Sequence, residues 1–158
     1  MQKKGLLLVA VLWISLGLFA QNINRAAFYQ AFSSNNMQVL SAQMVEIKKI
    51  NSAESLAFEG ALRMKMSGFA KGIANKLSNF KAGHYLLDNA IDKDTGNAEY
   101  RLLRLMIQEH APKILKYHHN MEADSKLIKG NFKTLSQPLQ KIILDYCSQS
   151  NTLKATDL

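Results

Sequence analysis

The sequence predicts an all-α domain, and three observations carry that prediction. Apolar residues recur at spacings of three and four, as in Met37, Leu40, Met44 and Ile47, and almost nowhere sustain a period of two. Two prolines and eight glycines in 158 residues are too few for a turn-dense β-sandwich. One cysteine excludes an internal disulfide framework and any zinc site built on two or four cysteines, so an apolar core has to hold the fold. With 47% hydrophobic and 20% charged residues, the composition is that of one globular domain, not of a disordered chain or a multi-span membrane protein.

Residues 1–20 stand apart. Lys3 and Lys4 precede a nearly continuous apolar run from Leu6 to Leu18, and Leu18 and Ala20 suit the −3 and −1 positions of a cut before Gln21. The run is short for the roughly 30 Å of a bilayer interior. The expectation is a secretory signal peptide over 1–20 and an exported protein, periplasmic or secreted; a retained membrane tether is the alternative. No cysteine lies near the cut, which argues against a lipoprotein, and the lone Cys147 fits an exported chain with no internal disulfide. Loss of Lys3 and Lys4 takes the net charge from +8 to +6. In an exported chain that basicity serves solubility or weak attraction to anionic surfaces, so no nucleic-acid partner is expected.

A single helical domain is predicted over 21–148, with a frayed tail over 149–158 that has no periodic pattern. Arg25 to Ser33 forms a first helix with Phe28, Tyr29 and Phe32 inward, and Ser34-Asn35-Asn36 breaks it. Met37, Leu40, Met44 and Ile47 mark the second. Asn51 and Glu54 resemble a capping box for the third, with Leu56, Ala57, Ala61, Leu62 and Phe69 inward and Gly68 and Gly72 bracketing its end. The fourth runs from Ile73 to Lys93 on a stripe of Leu77, Phe80, Leu87, Ala90 and Ile91. The cluster Asp94-Thr95-Gly96-Asn97 then turns the chain into a fifth, Ala98 to His110, with Glu99 near its positive end. Pro112 precedes a short apolar segment of Ile114, Leu115 and Tyr117. Asn120 caps a sixth helix carrying Met121, Leu127, Ile128 and Phe132. Ser136 caps a seventh with Pro138 in its first turn and Leu139, Ile142, Ile143 and Tyr146 inward. About seven antiparallel helices on short loops give either a stack of helical hairpins or a compact bundle.

Residues 77–101, LSNFKAGHYLLDNAIDKDTGNAEYR, resemble the second helix of a tetratricopeptide repeat and the entry to the next repeat. Phe80, Gly83, Leu87 and Ala90 fall at matching intervals, while Thr95 stands where that turn commonly has proline. The resemblance implies a hairpin stack in which Gly83 and Ala90 sit at a close helix crossing. The chain also resembles exported helical proteins of Bacteroidetes, whose signals often end in Ala-Gln, as Ala20-Gln21 does here.

Few residues point to chemistry. Arg101, Arg104 and Gln108 form a polar stripe opposite Tyr100, Leu103 and Ile107. On a hairpin stack that stripe is a candidate partner-binding surface, where arginine grips carboxylates; alternatively it faces water or pairs with Asp88, Asp92 or Asp94. His118 and Glu122, at i and i+4, are the weak candidates for a metal site; the adjacent His119 diverges from His118 on a helix. His84 lies beside the buried stripe of the fourth helix, as a partly buried histidine with a backbone partner or a titratable catalytic group. Cys147 reads as a small hydrophobe. Lys113, Lys116, Lys126, Lys129 and Lys133 make the C-terminal half basic, as a solvated face. No phosphate-loop, dinucleotide or nucleophile-elbow motif occurs. The expectation is therefore a non-enzymatic exported module with no cofactor, binding a protein or peptide of the cell envelope. The alternatives are a small periplasmic metal binder or enzyme using His110, His118 and His119, or a membrane-tethered structural protein.

Overall fold

Seven α-helices and three short 3-10 turns, with no strand among them, make up the described residues 22–158 of the computed structural model. The expected signal peptide lies outside those residues. The helices are α1 (Arg25–Ser33), α2 (Met37–Lys48), α3 (Ala53–Ser67), α4 (Ile73–Lys93), α5 (Ala98–His110), α6 (Met121–Asn131) and α7 (Gln137–Cys147). The all-α class is the one the sequence predicts, and α1, α4 and α5 have the predicted bounds.

Asparagine and serine caps set several starts. The Asn24 side chain accepts from the Ala27 amide, Asn36 from Gln38 and Val39, and Asn97 from Glu99 and Tyr100, each filling orphan donors of a first turn. The capping box of α3 is Ser52 with Ser55, not Asn51 with Glu54; Glu54 is instead drawn into an ion pair with Arg25. Asn120 and Ser136 make no side-chain cap bond, so α6 and α7 start without that support, although Pro138 does open α7. Gly68 closes α3 in ordinary right-handed geometry, whereas Gly72 has φ +79°, a conformation open essentially to glycine, and feeds the chain into α4.

The core centres on α5, in which every residue from Leu102 to Gln108 is buried. Around it gather Phe28, Phe58, Leu62, Leu87, Ile128 and Ile143. Phe28 meets Phe58 edge-on at 4.6 Å between ring centroids, tying α1 to α3. Arg25 adds a charged tie: its guanidinium donates to both oxygens of the buried Glu99 at 2.9 Å. Burial raises the Glu99 carboxyl above its ordinary range, with Arg25 opposing.

α3 and α4 meet backbone to backbone. A Cβ on Gly60 would lie 2.7 Å from the Gly83 oxygen and 2.7 Å from the Leu87 nitrogen; one on Gly83 would lie 2.5 Å from the Gly60 oxygen and 2.8 Å from the Met64 nitrogen. Gly60 thus faces positions 83 and 87 while Gly83 faces 60 and 64, so the two helices run in opposite directions. Gly83 sits at a close crossing as the tetratricopeptide-like spacing implies; Gly60, its partner, is the other half of the contact.

Three sequence expectations fail here. Leu56 is exposed because the buried face of α3 runs through Phe58, Gly60 and Met64 instead, Phe69 is exposed in the turn beyond the end of α3, and Leu77 is exposed because no element covers the first half of α4. The segment 149–158 is docked, not frayed. Its Leu153 is fully buried, and the Glu109 carboxylate accepts from the Ser150 hydroxyl (2.9 Å), the Asn151 amide (2.9 Å), the Thr152 amide (2.7 Å) and the Tyr146 hydroxyl. Those hydrogen bonds outweigh desolvation and hold the Glu109 carboxyl below its ordinary range.

Candidate functional site

α4 packs against the body from Phe80 onward, but every residue from Lys71 to Asn79 is exposed. The sequence explains why: Ala74, Asn75, Ser78 and Asn79 offer little to bury, and Gly72 leads the helix out at an angle set by its positive φ. Between this free stretch, the end of α3, α5 and the 3-10 turn Lys113–Leu115 lies a groove of about 620 Å³. That size falls in the range of ligand-binding clefts. Its floor is apolar, from Phe32, Met64, Phe80, Met106 and Ile107, and Ile73 and Ile114 form its lips. These two isoleucines are 86% and 88% exposed. Lone surface hydrophobes are ordinary, but two such residues at the mouth of one apolar groove form a continuous patch.

The charged groups of the lining are Lys65 and Lys76, His110 also borders it, and no carboxylate is among the lining residues. The Lys65 ammonium lies over the Phe32 ring, 5.3 Å from its centroid, and burial lowers its pKa. His110 places Nδ1 2.9 Å from the Met106 carbonyl oxygen.

The stripe of Arg101, Arg104 and Gln108 is not a free surface. Arg104 is buried and donates from Nε and Nη2 to the two oxygens of Asp124, at 2.7 Å each, while Arg101 donates to Asp124 from Nη1 at 3.1 Å and to the Thr95 carbonyl oxygen from Nη2 at 2.8 Å. Of the carboxylates named from the preceding helix, Asp88 does reach Arg104, at 3.5 Å; the main partner, Asp124, comes from α6. Desolvation opposes the Arg104 charge, but the Asp124 hydrogen bond and charge more than reverse it and raise its pKa. Gln108 is fully buried, and neither atom of its amide has a partner. Central position in the fold explains the difference: the middle of α5, from Leu102 to Gln108, is buried, so Arg104 meets carboxylates of neighbouring helices.

The remaining candidates do not converge. His118 Nε2 is 3.1 Å from the Ala111 carbonyl oxygen, which only accepts, so this nitrogen carries a proton. Glu122 and His119 are exposed, and no three His, Cys, Asp or Glu side chains among the described residues are grouped as metal ligands. His84 pairs with the Asp88 carboxylate, not a backbone group, and packs against Tyr117 at 4.6 Å. Cys147 is buried, and burial raises its thiol pKa. Among the described residues no helix is long and apolar enough to cross a membrane.

Sequence reasoning missed the groove. The available signal was the apolar pair Ile114-Leu115 between two lysines in a proline-led turn, and an apolar Ile73 opening a helix right after a glycine. Comparison with known protein families, curated proteins and solved structures finds no match to this chain.

Proposed function

We propose that this chain is an exported, non-enzymatic helical module that seats an apolar segment of a protein or peptide partner in the groove between α3, α4 and α5. The observation that carries this reading is the uncovered first half of α4. Helices in water owe most of their stability to a packed face, and here two turns present Ile73 and Leu77 to an apolar groove with no covering element. Helix-in-groove docking uses such a surface. The crossing of α3 with α4, and the contacts of α5 with α3, α4 and α6, support a hairpin-stack architecture of tetratricopeptide type. The enzyme or metal-binding alternative finds less support, because His118 directs its Nε2 proton to a backbone carbonyl and the other histidines point to no common centre.

Site-specific photo-crosslinking tests the proposal. A benzoylphenylalanine at Ile73 or Ile114 is expected to capture a discrete envelope partner, and one at Val45, an exposed apolar position on α2 away from the groove, is not. Equal capture at all three positions refutes it.

A further inference from the structure

The groove has a charge pattern that specifies its occupant more narrowly. Its α3–α4 wall contains no Asp or Glu between Glu59 and Asp88, a stretch that carries Arg63, Lys65, Lys71, Lys76 and Lys81. Its other wall contains none between Glu109 and Glu122, a stretch with Lys113 and Lys116. Each exposed isoleucine lip is therefore flanked by lysine: Lys71 before Ile73, and Lys113 and Lys116 around Ile114. Elsewhere on the surface Lys48 pairs with Glu59, Lys49 with Glu46, Lys129 with Asp157 and Lys141 with Asp145, while Lys93, Lys126, Lys133 and Lys154 stand in water without a carboxylate among the described residues, so it is burial beside the groove and not the lack of a partner that sets a lysine apart. Lys65 and Lys76 have no such partner among the described residues. Lys65 is the telling case. It is half-buried against Phe32, its charge is partly stripped of water, and nothing of opposite sign offsets that cost.

We infer that the groove takes an acidic amphipathic helix, whose apolar face fills the cavity between Ile73 and Ile114 and whose carboxylates meet Lys65, Lys76 and the lip lysines. This inference rests on the groove being a partner-binding site. Charge complementarity selects the acidic partner: a carboxylate beside Lys65 replaces lost hydration, and the surrounding lysines draw an anionic segment in. Extent selects a helix over a small amphiphile. A ligand confined to the cavity leaves the two exposed lips in water, whereas a helix laid along the groove has apolar side chains to set against them as well.

Two fluorescein-labelled peptides of about four turns decide the matter. Both present leucine at i, i+3, i+4 and i+7; one carries glutamate at the flanking positions and the other lysine. Fluorescence anisotropy with the full chain is expected to give about tenfold tighter binding of the acidic peptide. The gap is expected to close in about 0.5 M salt and in the Lys65→Met/Lys76→Gln double variant. Ile114→Asp, at an exposed position that folding does not need, is expected to weaken both peptides. Equal affinities, with Ile114→Asp weakening both, overturn the acidic partner and leave the groove reading standing. A gap that survives the double variant also overturns it, since the charge is then read elsewhere on a basic surface. If neither peptide binds while decanoate displaces an apolar dye from the groove, the helical occupant and the protein-partner reading fall together.

Discussion

The two ends of the α3–α4 pair solve opposite problems. At Gly60 and Gly83 the backbones touch so closely that neither position has room for a Cβ. One to three turns along, Met64 and Ser67 of α3 and Phe80, Leu77 and Ile73 of α4 line a groove of about 620 Å³. The chain makes the first end with small residues and a buried core behind them. It makes the second by letting α4 run on past the last element that covers it. Close contact is thus encoded by what the residues are, and the groove by what is not placed over them. On the proposed function stability belongs to the first end and recognition to the second, so substitutions at the two ends are expected to differ in size and in kind.

The largest effect is expected behind the closed end. Asp124 is fully buried and holds both Arg101 and Arg104, the latter also reaching Asp88 of α4. Asp124→Asn leaves two cations without their shared counter-charge in a site closed to water. A loss of about 3–5 kcal/mol is expected in urea unfolding. A loss under about 1 kcal/mol would mean that the arginines are not held as buried structural ions, and would return the Arg101–Arg104 stripe to consideration as a binding surface.

Gly83→Ala comes next. Alanine is the better helix former by somewhat under 1 kcal/mol, so on an open face the substitution would stabilise. Here the new Cβ meets the Gly60 carbonyl oxygen and the Met64 nitrogen, backbone atoms that move only with their helix. A net loss of about 1–3 kcal/mol is expected. Lys81→Ala, on the exposed side of α4, serves as the control and is expected to change little. The sign of the Gly83→Ala effect, read from the midpoint of thermal unfolding, decides whether this end is closed in solution.

The docked tail extends the comparison to pH. Glu109 anchors residues 150–152 and also Tyr146, which lines the groove. Its folded-state pKa lies below the ordinary carboxylate value, so its contribution is complete above that ordinary value and is lost as pH falls through the lowered one. The amide resonances of Thr152 and Leu153 are therefore expected to stay at their docked positions at neutral and mildly acidic pH, and to move only below the usual glutamate range. Glu109→Gln is expected to release the tail at neutral pH at a local cost of roughly 1 kcal/mol, leaving the seven helices folded. Undocking of the native tail at mildly acidic pH would contradict the anchor.

What was legible in the sequence follows the same division. The bounds of α1, α4 and α5 were readable because asparagine caps, a glycine-containing turn and apolar spacing act within a few residues of one another. Gly83 was readable as a crossing point, but its partner Gly60 was not, because nothing local says which glycine a distant helix will meet. The Asp124 link was hidden for the same reason: it joins α5 to α6 across a core whose layout the helix periods do not give. The tail lacked periodicity since its order comes from three hydrogen bonds to one carboxylate, with Leu153 and Leu158 too far apart to mark a helix face. Leu77 and Ile73 were legible as apolar residues at helical spacing, yet whether such residues face a core or a groove depends on what lies opposite, and that is a property of the whole fold.

The smallest effect is the most diagnostic. Lys65 is a cation with its folded-state pKa lowered by burial, so in its charged form it opposes folding, and that cost is relieved only as pH rises toward the ordinary lysine value. Lys65→Met removes the cost. It gives up a cation–π contact with Phe32, but the thioether makes a sulfur–aromatic contact of comparable worth in the same place. A small gain, held down by solvent screening of the half-exposed ammonium, is expected at neutral pH, shrinking in alkaline buffer as the native lysine loses its proton. The same variant is expected to bind the acidic peptide more weakly. A residue kept for the fold would lose stability when replaced; a residue kept for a partner gains stability and loses affinity. If Lys65→Met is instead less stable than the parent at neutral pH, Lys65 belongs with the closed end as a structural contact, and the division between the two ends of α3–α4 fails at the position where it matters most.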